Sequence, residues 1–265
     1  MRNSVRLTVV CLLILGASAA LSPAAVSSNW AGYALTAQGD PEATTFTNVT
    51  GSWVEPKATC TSLAQSSSAF WVGLGGSSEH SQALEQVGTE ARCNGSSPFA
   101  VHTAWYELVP SPPVVIKLKV RAGDRLTGAV LVNGSQVTLQ IKNTTRHWRY
   151  TKNVTLPEPD LTSAEWIAEA PSTCNSFGRC RPVPLTNFGS VSFTHAAATA
   201  SGHAGVISDP VWTTNPIQLD GSGQTGAFRP QFGSMATVDP GAAQPSALSA
   251  DGRSFSVSWQ SSVSG

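Results

Sequence analysis

What most constrains this chain is an alternation of apolar and polar side chains that recurs along it with almost no helical period. Val137, Leu139 and Ile141 are separated by Thr138 and Gln140, so one face of that segment is apolar and the other polar, as in a strand. Ile116, Leu118 and Val120 alternate with Lys117 and Lys119; Val191 with Phe193, and Phe255 with Val257 and Trp259, repeat the theme. Turn residues punctuate these runs. Ala122-Gly123-Asp124 precedes Leu126 to Val132, and Asn133-Gly134 before Gln136 predicts a type I′ hairpin. Many short antiparallel strands without βα alternation predict an all-β fold, a β-sandwich of two large antiparallel sheets. Ser201 to Gly241 is rich in Gly, Pro, Ser and Thr and lacks periodicity. It reads as long loops before a last strand, so residues 26–265 are expected to form one domain.

Residues 1–25 read as a signal peptide. Arg2 and Arg6 precede an apolar run from Leu7 to Leu15, and small residues follow to Ala17-Ser18-Ala19. That run is too short to span a bilayer, and no later stretch is longer, so an exported, extracellular protein without membrane contact is expected. The sixteen basic and sixteen acidic residues balance; without Arg2 and Arg6 the basic count falls to fourteen. Nothing forms a basic patch, so nucleic acid is not an expected partner. Cys11 belongs to the leader, leaving Cys60, Cys93, Cys174 and Cys180 as an even set for an oxidising compartment. Three pairings are possible. Cys174 and Cys180 enclose only Asn-Ser-Phe-Gly-Arg, which suits a local clip and leaves Cys60 with Cys93. These spacings fit no usual zinc pattern, and the histidines never occur as H-x-H or H-E-x-x-H, so no metal or cofactor is expected. No G-x-S-x-G elbow is present either.

What remains is polar groups embedded in apolar strands. In Ser163 to Ala170, Trp166 and Ala168 face one way while Glu165, Ile167 and Glu169 face the other. A glutamate sharing a face with Ile167 sits either on a solvated outer surface or in a cleft. In a cleft, desolvation raises its pKa toward the range a general acid or base needs. Phe70 to Gly76 is a buried-type strand ending in glycines, Ala83 to Gly88 carries Gln86, and Ala104 to Pro110 sets Glu107 behind Trp105 and Tyr106. A carboxylate to activate water and a carboxamide to donate to a developing oxyanion suffice for metal-free amide hydrolysis. Each of these residues, taken singly, also reads as a satisfied structural polar group. Glu165 lies roughly 13 Å along a strand from Glu169, too far for a shared-proton pair.

Several strings occur together in order: S-N-W-A-G-Y (Ser28 to Tyr33), F-W-V-G-L-G-G (Phe70 to Gly76), L-E-Q-V-G (Leu84 to Gly88), A-W-Y-E (Ala104 to Glu107) and A-E-W-I-A-E (Ala164 to Glu169). A C-x5-C loop and Val191-Ser192-Phe193-Thr194 follow. In these motifs the chain resembles the glutamic peptidases, or eqolisins, over roughly residues 28–200. The resemblance implies a concanavalin-like jelly roll with the active site on the concave face of one sheet. It assigns the catalytic pair to Gln86 and Glu169. Glu169 would be general base toward water, then general acid toward the leaving amine; Gln86 would orient the water and hold the oxyanion. Trp71, Trp105, Tyr106 and Glu107 fall in motifs that line or brace the cleft. The implied activity is a secreted acid endopeptidase acting on polypeptides without metal or cofactor, and a monomer is expected. Two positions depart from the fungal pattern: Gly75 and Thr103 stand where an aspartate is found. The competing reading is a lectin-like, carbohydrate-binding sandwich without catalysis, which eight tryptophans would suit. Trp30, Trp53 and Trp259, however, alternate as core residues do. A glycoside hydrolase would need Glu107 and Glu169 about 5 to 10 Å apart.

Overall fold

A strand leaves backbone donors and acceptors on both edges, and most strands of this chain satisfy both in one sheet. The computed structural model describes residues 23–39, 44–61, 65–78, 81–174, 180–221 and 239–262. Of the signal peptide expected over residues 1–25, residues 1–22 lie outside them. The strands begin with β1 (Ala25–Ser27), β2 (Trp30–Thr36), β3 (Phe46–Val54), β4 (Gln65–Leu74), β5 (Leu84–Asn94) and β6 (Val101–Val109). They continue with β7 (Val114–Ile116), β8 (Arg125–Asn133), β9 (Gln136–Asn143), β10 (Trp148–Thr155), β11 (Ser163–Glu169) and β12 (Ser172–Cys174). The last are β13 (Cys180–Pro182), β14 (Ser190–Ala200), β15 (His203–Val206), β16 (Thr213–Leu219), β17 (Ala242–Pro245) and β18 (Phe255–Gln260). No helix occurs among the described residues.

The expected all-β class holds, but the hydrogen bonding is not divided between two large sheets. It runs unbroken through a 16-stranded sheet in the order β10-β9-β8-β3-β14-β18-β17-β16-β2-β11-β4-β5-β6-β7, with β1 on β16 and β15 on β14. Among the described residues, only β12 and β13 stand apart, as a two-stranded sheet. Apart from β1 with β16, the strand pairings are antiparallel.

The sheet doubles over, so that β3, β8 and β9 lie across β11, β4 and β5. Trp166 of β11 donates its Nε1–H to the Thr50 carbonyl of β3 at 2.9 Å, and Trp53 of β3 reaches Thr89 Oγ1 of β5 at 2.9 Å. Gly51 and Gly128, register partners on β3 and β8, make room for this contact. A Cβ on Gly51 would meet Trp166 Cδ1 at 2.7 Å, and one on Gly128 would meet Val72 Cγ2 at 3.0 Å. Between the arms lies the main core, with Phe70, Val72, Leu139, Ile141, Trp166 and Phe193 all fully buried. Each such side chain contributes about 1.5–3 kcal/mol. At the far end, Tyr106 of β6 stacks on Tyr150 of β10 with ring centroids 6.0 Å apart.

Three local expectations are corrected. The β8–β9 hairpin forms, but Asn133 pairs with Gln136, so the two turn residues are Gly134 and Ser135. Only Gly134 has positive φ (58°), the pattern of a type II′ rather than a type I′ turn. The alternating run from Ile116 to Val120 buries both its ends, but strand pairing stops at Ile116 and Leu118 is exposed. Within the supposed loops of 201–241, β15 and β16 are strands. β16 reads Thr-Thr-Asn-Pro-Ile-Gln-Leu, too polar to alternate, and is held by pairing with β2, β1 and β17. Residues 222–238 lie outside the described segments.

Cys60 is bonded to Cys93 as expected, tying the segment after β3 to β5. Cys174 and Cys180 are register partners in the small sheet, and Cys180 is disulfide-bonded.

Candidate active site

Strands β2, β11, β4, β5 and β6 lie side by side, and their alternation sorts side chains onto two faces. On the face turned away from the main core, Glu165, Gly73, Gln86 and Glu107 are aligned in one row by strand register. The adjacent row holds Gly32, Ile167, Trp71, Gly88 and Trp105. Glu169 ends β11 beside Trp30 of β2. A smaller apolar cluster of Ala34, Ala69, Trp71, Leu84, Trp105, Ile167 and Ile217 floors this face. The polar groups therefore stand on hydrocarbon rather than on water. Glu165 is fully buried, which excludes the solvated outer surface as the setting of β11.

Glu169 and Gln86 open onto the same groove, about 410 Å³ in volume. Asn29, Trp30, Leu84, Glu107, Val109 and Pro110 line it with them. The Glu169 carboxyl is held at both oxygens. Trp71 Nε1–H donates to Oε2 at 2.7 Å and Asn29 Nδ2–H to Oε1 at 3.2 Å. Burial pushes its pKa up to about 7; the Trp71 bond pulls it down, and the Glu107 charge raises it further. Gln86 is buried, and its Nε2–H donates to Glu107 Oε2 at 2.7 Å. That bond fixes which end of the amide faces Glu107. The Gln86 Oε1 atom is buried and takes no hydrogen bond from the described residues. Burial also raises Glu107, and the Gln86 bond partly offsets this.

The predicted site residues thus divide. Gln86, Glu107 and Glu169 converge on the groove. Trp71 is fully buried beneath it and acts through its indole N–H, while Trp105, also buried, packs in the apolar floor. Tyr106 does not belong to the groove: it lies one residue out of phase and faces the main core. Four groove residues carry no site signal of their own in the sequence. Asn29, Ser81 and Gln82 stand in no catalytic pattern, and Trp30 alternates as core residues do; it is only partly buried and packs edge-on to Trp71 with centroids 5.0 Å apart. Asn29 and Trp30 are marked only by the S-N-W-A-G-Y string, whose second and third residues sit across β2–β11 from Glu169. At Gly75 the departure from the fungal pattern has a structural counterpart. Its φ is +83°, and a Cβ there would meet Asp160 Cβ at 2.5 Å and Cγ at 2.7 Å. The Asp160 side chain fills that space from another segment.

Among the described residues no group of three or more His, Cys, Asp or Glu side chains is arranged to hold a metal ion, and no helix is long and apolar enough to cross a membrane. The arrangement pairs a doubly anchored carboxyl of raised pKa with an oriented carboxamide over an apolar floor, the equipment for moving one proton and steadying one oxyanion.

The sequence matches the model of the Peptidase A4 family over residues 28–227. It is 28% identical to Aspergillopepsin-2 of Aspergillus niger over 227 residues, covering 74% of this chain and 72% of the relative. In fold it resembles scytalido-glutamic peptidase solved with a peptide-based transition-state analogue. The TM-score is 0.67 at 23% identity, covering 88% of this chain and 98% of that one. Aspergilloglutamic peptidase from Aspergillus niger matches with a TM-score of 0.53 at 25% identity, covering 73% and 99%.

Proposed function

Because the chain belongs to the Peptidase A4 family, and is thereby a peptide-bond hydrolase, we propose that it is an exported endopeptidase working through Glu169 and Gln86. In this reading the doubled-over sheet is the family's jelly-roll sandwich, and residues 26–265 form one catalytic unit that acts on polypeptides as a monomer. The Glu169 carboxylate takes a proton from water as the water oxygen bonds to the scissile carbonyl carbon. The second Nε2–H of Gln86 donates to the oxyanion that forms. Protonated Glu169 then passes its proton to the amide nitrogen as the carbon–nitrogen bond breaks. Trp71 and Asn29 keep both Glu169 oxygens aimed during the exchange, and Glu107 keeps the amide from turning over.

The observation that carries this reading is the double anchoring of Glu169 in the same groove as Gln86. With a free-enzyme pKa of about 7 for Glu169, the base form grows as pH rises. Other carboxyls buried in the fold favour acid, Glu85 being pushed to about 8 by burial. The lectin-like alternative has less to draw on, since Trp53, Trp71, Trp105, Trp166 and Trp212 are buried and only Trp30, of the eight, lines the groove.

The test is proteolysis of a denatured protein substrate across pH 3 to 8, with chelator and a serine-protease inhibitor present. Wild type should cleave internal bonds. Glu169→Gln should lose about 10³-fold or more in kcat with an unchanged far-UV circular dichroism spectrum. Near-normal cleavage by that variant would sink the mechanism.

A further inference from the structure

One flank of the groove is not built on a strand. Gly76, Ser81, Gln82 and Ala83, from the connection between β4 and β5, line the groove but gain no sheet hydrogen bonds there. Two of them, Gly76 and Ser81, are held by Asp160, which precedes β11 and is not among the residues lining the groove. Asp160 Oδ2 accepts from the Gly76 N–H at 3.3 Å and lies in close contact with the Ser81 hydroxyl. Ser81 Oγ in turn accepts from the Gly76 N–H at 3.0 Å and sits 2.8 Å from the Ala83 carbonyl. The other oxygen, Oδ1, accepts from Thr162 N–H at 2.9 Å and Thr162 Oγ1–H at 2.6 Å, so the carboxylate is itself locked. Gly75, with no side chain, admits it.

We propose that Asp160 is a positioning residue of this peptidase: through Gly76 and Ser81 it fixes the non-strand flank of the groove and thereby sets how tightly an extended peptide is held. This rests on the peptidase reading given above. A peptide lying in the groove touches this flank and not Asp160, so the carboxylate acts on binding rather than on bond breaking. Uniform binding of that kind appears in KM and leaves kcat alone.

Charge explains why the anchor has a working range. Burial pushes the Asp160 carboxyl up, but the hydrogen bonds from Ser81, Thr162 and Gly76 outweigh it and leave the group below the ordinary aspartate range. Asp160 is therefore an anion in acid, able to accept all its donors. Glu85 of β5 and Glu165 of β11 are raised by burial; the Asp160 charge adds to this in both, while the Asp160 backbone bond to Glu85 works against it. Glu158 shares its solvent side. Only when Asp160 takes up a proton, at the acid extreme, does the anchor lose acceptors.

The experiment compares Asp160→Asn and Ser81→Ala with wild type on a fluorogenic peptide. Affinity for the uncleaved peptide is also measured in a Glu169→Gln background, and folding is followed by thermal unfolding. Asp160→Asn should raise KM about tenfold and Ser81→Ala about threefold, with kcat within about twofold. The same factors should appear in the peptide affinity. Wild-type KM should also rise at the acid extreme, and Asp160→Asn should abolish that rise. Unchanged KM and affinity in both variants, or a loss confined to kcat, would overturn the proposal. Should Asp160→Asn fail to fold, Ser81→Ala alone decides. Absence of cleavage by wild type would instead overturn the peptidase reading, and the affinity arm would still report on the flank.

Discussion

The same five strands, β2, β11, β4, β5 and β6, serve two opposite purposes on their two faces. Inward they present Tyr33, Leu35, Trp166, Phe70, Val72, Val87 and Tyr106 to a continuous hydrocarbon core. Outward they present Glu165, Glu169, Gln86 and Glu107 over a thin apolar floor. The inner face stabilises the fold by removing apolar area from water. The outer face holds polar groups where water screens them poorly, and their altered acidity follows from that setting. Alternation lets one backbone do both, because successive residues never share a surroundings. Trp105, Tyr106 and Glu107 show it in three positions: floor, core, groove.

The sharpest way to break this division is at Gln86. Gln86→Ala should lower kcat about 10²–10³-fold with little change in KM, read from steady-state kinetics. A loss spread equally over KM would mean that the outer face merely binds. Trp71→Phe comes next. It removes the donor that lowers the Glu169 pKa, so that pKa rises and the rising limb of kcat/KM moves to higher pH. At a fixed pH on that limb the rate should fall about fivefold; a limb that stays in place would dissociate the indole from the carboxyl. A third test concerns Glu85, which sits fully buried on the inner face with its carboxyl raised to about 8, mainly by burial. A carboxyl raised above its unfolded value stabilises fully below that value and loses the contribution as pH rises through the folded one. Unfolding free energy should therefore decline from about pH 4.5, the unfolded reference, to about pH 8. Glu85→Gln should flatten the decline, leaving the variant more stable than wild type above pH 8 by on the order of 2 kcal/mol. The smallest effect belongs to Tyr106→Phe, which should leave kcat and KM within about twofold. A change as large as that at Gln86 would mean the two faces are not separate.

Much of the main core was legible in the sequence, on the β9 side that packs against these five strands. Val137, Leu139 and Ile141 are all fully buried, because an apolar residue at every second position leaves a strand one stable orientation. Phase also separates Tyr106 from its neighbours, though its place in an A-W-Y-E string suggested otherwise. The polar trio of Gln86, Glu107 and Glu169 was legible through motif order, since no local pattern tells which distant strands become neighbours. Asn29 and Asp160 were not legible. A single polar side chain in a turn has many possible acceptors and donors, and only the closed fold selects one. β16 was hidden for a related reason: its partners, not its own composition, make it a strand.

The first strand carries a consequence for maturation. β1 adds to β16 through Ala25, Val26 and Ser27, and Ser27 Oγ accepts from the backbone N–H groups of Asn29 and Trp30. Asn29 in turn grips Glu169. β1 is thus wired to the Glu169 carboxyl. A cut ahead of Ala25 keeps that wiring, whereas trimming past Asn29 strips β1 from β16 and takes the Asn29 bond from Glu169, leaving Trp71 to hold the carboxyl.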